Sequence, residues 1–591
     1  MSNSRTCAKA LVILGGTALI ATFVILVAFP SFYQKELEKR MTLKNNTALY
    51  DVWKDLPIPI YQKLYFFNVT NEEEFLNGTQ LKVAEVGPYT YSSRWTKKDI
   101  HWSNGTVTYR EVKTFHFERD MSVGPEEDLV VTLNGPIMLA AENVKDKEDL
   151  KKVMVNFVIE ALGLKLIIKK SVKELAFGGY HDKIIEYLNE WQKQKTIDID
   201  IPYKNGTFAW LYDRNATDDG NFTVYSGEED HSKLNTIKEW NGQSKLNFWK
   251  GDACNMINGT NGELGPAVRD NQTTYSFFQP TFCRSLSFDY EKNKIHKIII
   301  SKRFRNTQSI FKDATLNQCF DQDHELPSGV MDLGPCLFNA PIVLSFPHFY
   351  LADPTYLEYV QGLNPNKTQH ESFLDVEPTT GLTVGLTMRF QLNVHLHPSS
   401  KILQLKNITE GVYPIFWMEM LTEISDDMAN SMDYHLRRSK VIAFVLLGLI
   451  AVLSVIFLIA GLVLLRKSRN QMWTEIKPLL VDTGHKDSGY SAIATCPPML
   501  SNSGSYQQQH NNHLSKSLTS SQKDRQTENM LPKTIHVSVH NAQSTKMTIE
   551  KSGNLTTPKV AAKTSETKTQ ATASQKKDPT AQNLGGAVDV L

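Results

Sequence analysis

Two long apolar runs stand out in the 591-residue chain. Ala10–Phe29 has no charged residue, and Val441–Leu465 has Ser454 as its only clearly polar side chain. At about 1.5 Å per residue, a helix of about 20 residues crosses a hydrocarbon core of about 30 Å. A soluble helix as long as the second run would normally show a polar face. The pattern therefore predicts transmembrane helices at residues 10–29 and 441–465.

A cleaved signal peptide is the alternative interpretation of the first run. The run exceeds the apolar core of about 7 to 15 residues that is usual in signal peptides, and bulky residues follow it where small ones normally precede cleavage. We therefore interpret it as an uncleaved anchor. The flanking charges argue weakly against a cytosolic N-terminus, because more basic residues follow the run than precede it. Arg5 and Lys9 precede it, and it is followed by Lys35, Lys39, Arg40 and Lys44.

Acceptor motifs for N-glycosylation indicate the topology more clearly. Eleven Asn-x-Ser/Thr motifs lie between the two runs, and Asn554 is the one other acceptor. Eleven motifs in one segment indicate passage through a secretory compartment. We therefore predict a cytosolic N-terminus at 1–9, a glycosylated ectodomain at 30–440 and a cytosolic tail at 466–591. The eleven acceptors are Asn45, Asn68, Asn77, Asn104, Asn205, Asn215, Asn221, Asn258, Asn271, Asn366 and Asn407.

The region between the runs carries mostly the pattern of β-strands. Short alternating stretches broken by turn residues, such as Val83–Tyr91, Lys294–Phe304 and Gly385–His397, favour many strands over long helices. Val153–Ile168 and the following residues to Trp191 instead carry apolar positions at helical spacing. The pattern thus predicts an α+β chain whose β-rich ectodomain has a small helical cluster at about residues 142–191.

Cysteine usage agrees with an oxidising compartment for the ectodomain. Four of the six cysteines lie in its second half, and an even set of this kind predicts two disulfides with three possible connectivities. These four are Cys254, Cys283, Cys319 and Cys336. Cys7 and Cys496 would face the reducing cytosol. Because Cys7 lies at the membrane edge, it is a candidate for palmitoylation.

The tail differs from the ectodomain in composition. It has long Ser, Thr, Gln, Asn and Lys stretches and few aromatic residues, so it cannot bury enough apolar area to offset chain entropy. We therefore predict a disordered tail. Its excess of Lys and Arg leaves the region between the runs acidic, because the whole chain has a net charge of +1. An acidic ectodomain lacks the basic footprint of a nucleic-acid binder.

Short extended signals near the membrane predict trafficking partners for the tail. Glu475 with Leu479-Leu480 fits the acidic dileucine pattern, and Tyr490 with Ile493 fits the Tyr-x-x-apolar pattern; clathrin adaptors read both. Together they favour endocytic and lysosomal traffic over residence at the surface alone. The C-terminal Val588–Leu591 is a weaker candidate for strand addition to a PDZ domain.

The sequence gives no sign of enzymatic chemistry or of a resident cofactor. It lacks HExxH, a GxSxG elbow, a Walker loop and a CxxC pair. His395 and His397 are the one pair with a metal-ligand appearance. Alternate residues of a strand point the same way and are common on a solvated face, so we predict no metal site there.

Several segments closely resemble hallmark segments of the class B scavenger receptors. That family includes fatty acid translocase, the high-density-lipoprotein receptor and lysosomal integral membrane protein type 2. The resemblance covers roughly residues 8–470, in the family's order, and leaves the long tail outside. The segments that carry it are EVGPYTY (Glu85–Tyr91), VKELAFGGYHD (Val172–Asp182), Gly251–Lys292, Leu344–Val394 and YPIFWMEM (Tyr413–Met420).

The resemblance implies a fold and a disulfide pairing. We expect both termini in the cytosol and an antiparallel, barrel-like ectodomain crossed by a long apolar tunnel, with a helical apex that meets ligand. By matched position, Cys254 is expected to pair with Cys319 and Cys283 with Cys336.

The resemblance also implies a function without a chemical step: a receptor that binds lipids or lipoproteins and passes lipid through the tunnel to the membrane. The cargo would be a fatty acid, a sterol, a carotenoid or an anionic particle. At the apex, lysines interleaved with apolar residues suit anionic head groups, although a solvated helix face is the plainer interpretation. These lysines are Lys165, Lys169, Lys170 and Lys173.

Two other functions remain as alternatives. One is a sorting receptor that carries a soluble lumenal protein to lysosomes. The other is a two-span ion channel subunit, but such channels usually have cysteine-dense ectodomains and polar pore-facing residues. The predicted location is the plasma membrane and the endosomal and lysosomal membranes.

Overall fold

A computed structural model of the protein describes residues 2–194, 206–311, 317–320 and 326–481. Helices α1 (Ser2–Arg40) and α10 (Ser439–Val481) contain the two apolar runs, and both are long and apolar enough to cross a membrane. They pack side by side. A Cβ atom at Gly15 would lie 2.7 Å from the backbone nitrogen of Leu458, so the close approach requires glycine there. Further along, the Phe29 and Phe444 rings meet with centroids 5.3 Å apart.

Helix α10 corrects the predicted start of the disordered tail. The helix continues past Leu465 to Val481, and the residues Arg466, Lys467, Arg469, Gln471 and Met472 that follow the apolar run favour helix. The segment with Glu475, Leu479 and Leu480, interpreted from sequence as an extended signal, is therefore helical. Tyr490, Ile493, Cys496 and Val588–Leu591 lie outside the described residues.

Eighteen strands and ten α-helices make up the regular structure of the described residues. The other helices are α2 (Ala48–Lys54), α3 (Glu72–Leu76), α4 (Gly135–Glu142), α5 (Asp149–Ala161), α6 (Lys183–Lys193), α7 (Asp252–Asn255), α8 (Lys367–His370) and α9 (Asp426–Asp433). The first nine strands are β1 (Ile60–Val69), β2 (Leu81–Ser103), β3 (Thr106–Phe117), β4 (Leu129–Leu133), β5 (Ile167–Ser171), β6 (Tyr180–His181), β7 (Thr207–Phe208), β8 (Thr217–Tyr225) and β9 (Ile237–Trp240). The others are β10 (Thr274–Gln279), β11 (Arg284–His296), β12 (Ile299–Arg305), β13 (Val330–Asp332), β14 (Ile342–Ser345), β15 (Val360–Gln361), β16 (Phe373–Val376), β17 (Thr383–Leu396) and β18 (Gly411–Glu423).

One large, mainly antiparallel sheet forms a nearly closed barrel. Its strand order is β10-β11-β12-β16-β17-β18-β1-β2-β3-β8-β9, with β13 and β14 attached to β17 and the short β15 pairing in parallel with β2. Residues 259–260 link the two open edges. Ile237 of β9 donates its N–H to the carbonyl of Gly259, and Phe278 of β10 donates to that of Thr260. Such closure protects strand edges that would otherwise pair with other chains. The structure thus confirms the α+β, β-rich fold class.

The predicted strands are present, with one difference. Val83–Tyr91 lies within β2, and Gly385–His397 coincides with β17 to within a residue of its end. Lys294–Phe304, by contrast, is a hairpin. Lys297 adopts a left-handed conformation (φ 54°) between β11 and β12, and this turn reverses the chain within the alternating run.

The helical cluster is shorter than its apolar spacing predicts. Helix α5 ends at Ala161, and Gly163 follows with φ +61°, the conformation that favours glycine beyond a helix C-terminus. Ile167–Ser171 is strand β5, which pairs with β4 so that Ile168 lies opposite Thr132. Lys169 and Lys170 are therefore strand residues rather than helix residues. The β-branched pair Ile167-Ile168 suits the strand, because it packs well on a pleated surface.

Both disulfides stabilise one side of the barrel. Cys254 is bonded to Cys319 and Cys283 to Cys336, with Cα atoms 5.8 and 6.3 Å apart, which is the pairing that the resemblance implies. Cys254 and Cys283 are buried in an aromatic core cluster that includes Phe282, Phe346 and Phe390. The bridges therefore fix the loops before β10 and after β12 to the sheet.

Candidate functional site

Two adjoining cavities lie inside the barrel. The first, of about 100 Å³, reaches Phe177 and Leu211. They lie at the end of the barrel that carries the helical cluster, and we call this end the apex. The second, of about 70 Å³, extends to Leu56 and Ile58, just before β1. Most of the surface exposed to both cavities is apolar. The two cavities share the lining residues Trp95, Lys113, Gln279, Met388 and Met420.

The resemblance implies an apolar interior, but the interior of the barrel also contains charged side chains. Lys97 on β2 is fully buried, with its Nζ 3.0 Å from Glu111 Oε2 and 2.6 Å from Glu263 Oε2. Lys97 and Glu111 are direct partners across β2 and β3. Glu263 comes from the loop between β9 and β10. Glu111 and Glu263 both line the second cavity, so this cavity has a charged wall.

The three groups of this wall influence one another strongly. Burial raises the pKa of Glu263 to about 7, against the opposing effect of the Lys97 ammonium. Burial also disfavours the charged form of Lys97, but Glu263 and Glu111 outweigh it and raise the pKa of that lysine. Glu263 is therefore the group of the wall that changes charge near neutral pH.

A second set of charges lines the apical cavity. Lys113 Nζ lies 2.6 Å from Asp219 Oδ2, and Arg214 Nη1 lies 2.7 Å from Asp219 Oδ1. Burial opposes ionisation of Asp219, yet Lys113 and Arg214 together lower its pKa. The sequence reasoning missed both charged sets. No sequence signal pointed to them, because the pairs depend on the register of neighbouring strands and on loops that only the fold brings together.

A third cavity lies where the helices leave the predicted spans. Its volume is about 470 Å³, and it is lined by Tyr33, Leu37 and Met41 of the α1 end and by Met432 and Leu436 near the start of α10. Tyr33 donates a hydrogen bond to the carbonyl of His435, which ties the two helices together at this level. A sizeable, partly apolar space thus exists between the barrel and the predicted bilayer.

The apical helix α5 exposes apolar side chains to solvent. Leu150, Val153, Met154 and Phe157 follow one another at helical spacing, and Phe157 is 71% exposed. Val155 and Ile159 on the opposite side are buried against the apical core. An exposed apolar stripe on a soluble surface marks a binding site more often than chance. The sequence reasoning noted the helix but gave its attention to the lysines.

The predicted apical lysines do not form one group. Lys165 lies in the loop after α5, Lys169 on β5 and Lys173 just after β5, and all three are exposed. Lys170 is half-buried, lies over the Tyr180 ring and pairs with Glu174 at 3.3 Å. Three lysines therefore remain accessible to an anionic ligand, and Lys170 is held by its neighbours.

The predicted glycosylation acceptors are mostly exposed. Asn68 is half-buried, and its Oδ1 accepts a hydrogen bond from the backbone N–H of Val131. Asn205 lies outside the described residues. The exposed acceptors are Asn45, Asn77, Asn104, Asn215, Asn221, Asn258, Asn271, Asn366 and Asn407. Cys7, the acylation candidate, is an exposed free cysteine on α1.

His395 and His397 do not lie on a solvated face. Each imidazole is less than a fifth exposed, and the two ring centroids are 4.1 Å apart. They face Glu410 and Glu142, which come from other parts of the chain. The two side chains do point the same way at the end of β17, as predicted. The face is not solvated, because apical segments cover this end of the sheet.

The segments that carry the family resemblance meet around the carboxylate of Glu85, whose side chain is about one third exposed. Glu85 Oε2 accepts hydrogen bonds from Trp417 Nε1 at 2.7 Å and from His348 Nε2 at 2.6 Å. His348 accepts a bond from the backbone of Asn364 at its other nitrogen and stacks on His370. Three separate hallmark segments thus supply one structural network that holds the outer side of the sheet.

A nearly closed sheet encloses apolar cavities and is joined to two terminal helices that are long and apolar enough to cross a membrane. The chain belongs to the CD36 family, whose sequence pattern matches residues 13–465. It is 32% identical over 423 residues to scavenger receptor class B member 1 of Bos taurus, covering 71% of this chain and 81% of the relative. It is also 33% identical over 420 residues to lysosome membrane protein 2 of Homo sapiens, covering 70% of this chain and 85% of that protein.

Proposed function

We propose that the protein is a scavenger receptor that binds lipids or lipoproteins at its apex and passes lipid through the barrel to the membrane, with no chemical step of its own. The observation that carries the proposal is the pair of adjoining cavities, which reach from Phe177 near the apex to Leu56 near the opposite end of the barrel. Its relatives include scavenger receptor class B member 1, which supports the receptor role.

The physical benefit of such a passage is the shielding of apolar surface. A fatty acyl chain, sterol or carotenoid in water carries a cost of about 25 cal/mol per Å² of exposed apolar area. The two cavities are narrow, so a lipid would have to displace the flexible side chains of Met388 and Met420 where the cavities adjoin. Methionine suits that role because its unbranched side chain adapts to different shapes.

The arrangement relative to the membrane is part of the proposal. Helices α1 and α10 would span the bilayer at residues 10–29 and 441–465, with the glycosylated barrel outside and both termini in the cytosol. The protein would move between the plasma membrane and endosomal and lysosomal membranes, with clathrin adaptors binding the Glu475–Leu480 and Tyr490–Ile493 signals. A PDZ protein would bind Val588–Leu591.

The proposal is tested by blocking the junction of the two cavities. Met420→Trp fills the space that both share, so we expect transfer of a fluorescent cholesteryl ester from high-density lipoprotein into cells to fall at least tenfold. Binding of the particle itself should stay unchanged. The matched control is Met256→Trp, since Met256 is exposed and does not line either cavity. Equal loss of binding and transfer, or no loss of transfer, would contradict the conduit.

The identity of the cargo is accessible through the purified protein. Mass spectrometry of lipids that copurify with the full chain in detergent should find acyl or sterol molecules at a stoichiometry near one per chain. Met420→Trp should lower that occupancy, whereas Met256→Trp should not.

A sorting receptor for a soluble lumenal protein is the second candidate. The exposed apolar stripe of α5 favours it, because a stripe of that kind fits a protein surface as well as a lipoprotein. Its relative named lysosome membrane protein 2 adds support for a lysosomal location. Recovery of a lumenal protein whose binding is lost in Phe157→Ser, with transfer of lipid absent from the unmodified chain, would favour this candidate over lipid passage.

A further inference from the structure

A convergent cluster of two imidazoles and two carboxylates lies beside the apex, away from the barrel cavities. His395 is at the end of β17, His397 just beyond it, and Glu410 directly before β18. His395 Nε2 lies 3.8 Å from Glu410 Oε1, and His397 Nε2 lies 3.7 Å from the same oxygen. The donor atoms of these three residues all lie within 4.8 Å of one another.

This spacing suits one metal ion with nitrogen and oxygen ligands. A tetrahedral Zn²⁺ ion with bonds of about 2.0 to 2.1 Å separates its ligand atoms by about 3.3 to 3.4 Å. The two separations from Glu410 therefore need to close by roughly half an ångström, and the two imidazole nitrogens, which lie within 4.8 Å of each other, by up to about 1.4 Å. Glu410 can move because its side chain is 58% exposed, and rotation of the imidazole rings supplies the rest.

The environment prepares the imidazoles as ligands. His397 Nδ1 lies 3.2 Å from Glu142 Oε2, so an N–H at Nδ1 leaves the lone pair of Nε2 directed toward Glu410. A carboxylate partner of this kind fixes the tautomer of metal-ligating histidines.

Charge and space also admit a cation. A cavity of about 170 Å³ opens beside both histidines and leaves room for a water molecule as the fourth ligand. Three lysines line it, and each faces an acidic group. Lys145 Nζ lies 3.0 Å from Glu142, and Lys152 and Lys401 lie 3.9 and 3.3 Å from Asp149. With Glu410 counted, the local carboxylates match the lysines in number.

We propose that His395, His397 and Glu410 form a Zn²⁺ site, with Glu142 orienting His397 and water completing the coordination. Imidazole ligands select a borderline ion such as Zn²⁺ over Ca²⁺ or Mg²⁺, which prefer oxygen ligands. This site would correct the sequence-based prediction that the chain holds no metal. The sequence alone could not point to this site, because Glu142 and Glu410 approach the histidines only in the folded chain.

A bound ion would connect the barrel to the apex. Glu142 ends α4, whereas Glu410 belongs to the β17–β18 connection. The same connection already contacts α5, because the backbone N–H of Leu403 donates to Asn156 Oδ1 at 2.8 Å. The ion would therefore restrict movement between the sheet and the helix that exposes the apolar stripe.

The test measures metal directly on the full, glycosylated chain in detergent, purified without a polyhistidine tag. After incubation with Zn²⁺ and dialysis, inductively coupled plasma mass spectrometry should find about one zinc per chain. The double variant His395→Ala with His397→Ala should retain less than a tenth of that amount. The matched control is His101→Ala with His116→Ala, which removes two exposed histidines and should retain it all.

Further variants separate loss of the site from loss of the fold. Glu410→Gln and Glu142→Gln should each weaken Zn²⁺ binding by 10- to 100-fold. Zn²⁺ should raise the thermal unfolding midpoint of the unmodified chain but not that of the double variant. Co²⁺ in place of Zn²⁺ should give the visible spectrum of a tetrahedral site. The proposal is overturned if the unmodified chain retains no zinc, or if the double variant retains as much as the control.

Discussion

The barrel interior and the surface of α5 distribute polar and apolar groups in opposite ways. Inside the barrel, Lys97, Glu111 and Glu263 are charged groups withdrawn from water beside an apolar cavity. On α5, Leu150 and Phe157 are apolar groups exposed to water. Both arrangements lower the stability of the fold relative to one with exposed charges and buried apolar groups. Such departures from the usual burial pattern are expected at functional sites. In the proposed function the two regions would act on the same cargo at different stages: α5 would capture it and the interior would guide it.

The largest effect is expected from removing the cation of the interior wall. Lys97→Met leaves two buried carboxylates without their shared partner, a change that costs about 3–5 kcal/mol of unfolding free energy. Thermal unfolding of the detergent-solubilised chain, together with the fraction that reaches the cell surface, would measure it. Lys98→Met is the control, because Lys98 is the exposed neighbour of Lys97 on the same strand and is not part of the cluster. Similar unfolding of the two variants would show that the wall is solvated.

A pH dependence is expected from Glu263. Its pKa is raised to about 7 in the folded chain, from about 4.5 in the unfolded chain. A raised pKa contributes stability that is fully present below pH 4.5 and is lost as the pH rises through about 7. By linkage the loss is at most about 3 kcal/mol. Glu263 by itself therefore favours the folded chain more at the acidic pH of a lysosome than at neutral pH, whereas His370, whose pKa is lowered to about 3, acts in the opposite direction.

The Glu263→Gln variant sharpens this expectation. Going from pH 5 to pH 7.5, its unfolding temperature should change in favour of the higher pH when compared with the unmodified chain and with the exposed-site control Glu229→Gln, because the opposing contribution of Glu263 has been removed. The same change in unfolding temperature in all three proteins would show that Glu263 does not contribute to the pH dependence.

On the apical side, the expected effect is on binding rather than stability. Phe157→Ser removes the most exposed aromatic group of the α5 stripe, so binding of high-density lipoprotein should weaken about 10- to 30-fold, as for an interface hot spot. Stability should change by no more than about 0.5 kcal/mol, because the side chain packs little in the free protein. Phe338→Ser is the control, since Phe338 is 43% exposed elsewhere on the surface. Equal weakening in both variants would remove α5 from the binding surface.

The smallest effect is expected from the apical charges. Lys165→Glu with Lys169→Glu should slow association with phosphatidylserine-containing vesicles about two- to fivefold at low salt, because peripheral charges mainly steer encounters. The difference should disappear at high salt and with vesicles of phosphatidylcholine alone. Lys238→Glu with Lys292→Glu makes the same charge change at exposed positions elsewhere. If both pairs slow association equally, the net charge alone is responsible.

Much of the architecture could be predicted from sequence because it depends on local patterns. The apolar runs predicted α1 and α10, and alternation predicted strands such as β2 and β17. The change from helix to strand after Gly163 could not be read from spacing, because Ile167 and Ile168 fit either period. Their pairing with β4 decided the outcome.

The candidate sites were harder to predict because they depend on distant contacts. Lys97 lies in a polar stretch that resembles a solvated strand end, and only the loop with Glu263 buries it. His395 and His397 were visible as a pair, but their carboxylate neighbours come from α4 and from the residue before β18. In each case the chemistry arises where the barrel closes or where the apex covers it.

The part of α1 beyond its apolar run sets the distance between the barrel and the predicted bilayer. If Phe29 marks the outer limit of the hydrocarbon, the helix from Pro30 to Arg40 rises about 15 Å before the chain enters the barrel. In the proposed function, a lipid that leaves the barrel near Leu56 must therefore cross a gap as wide as a headgroup layer. The space between Tyr33, Leu37 and Leu436 lies at this level and offers a sheltered step across it. In the proposed function, the final transfer of lipid to the membrane would thus depend on the residues next to the membrane spans rather than on the barrel.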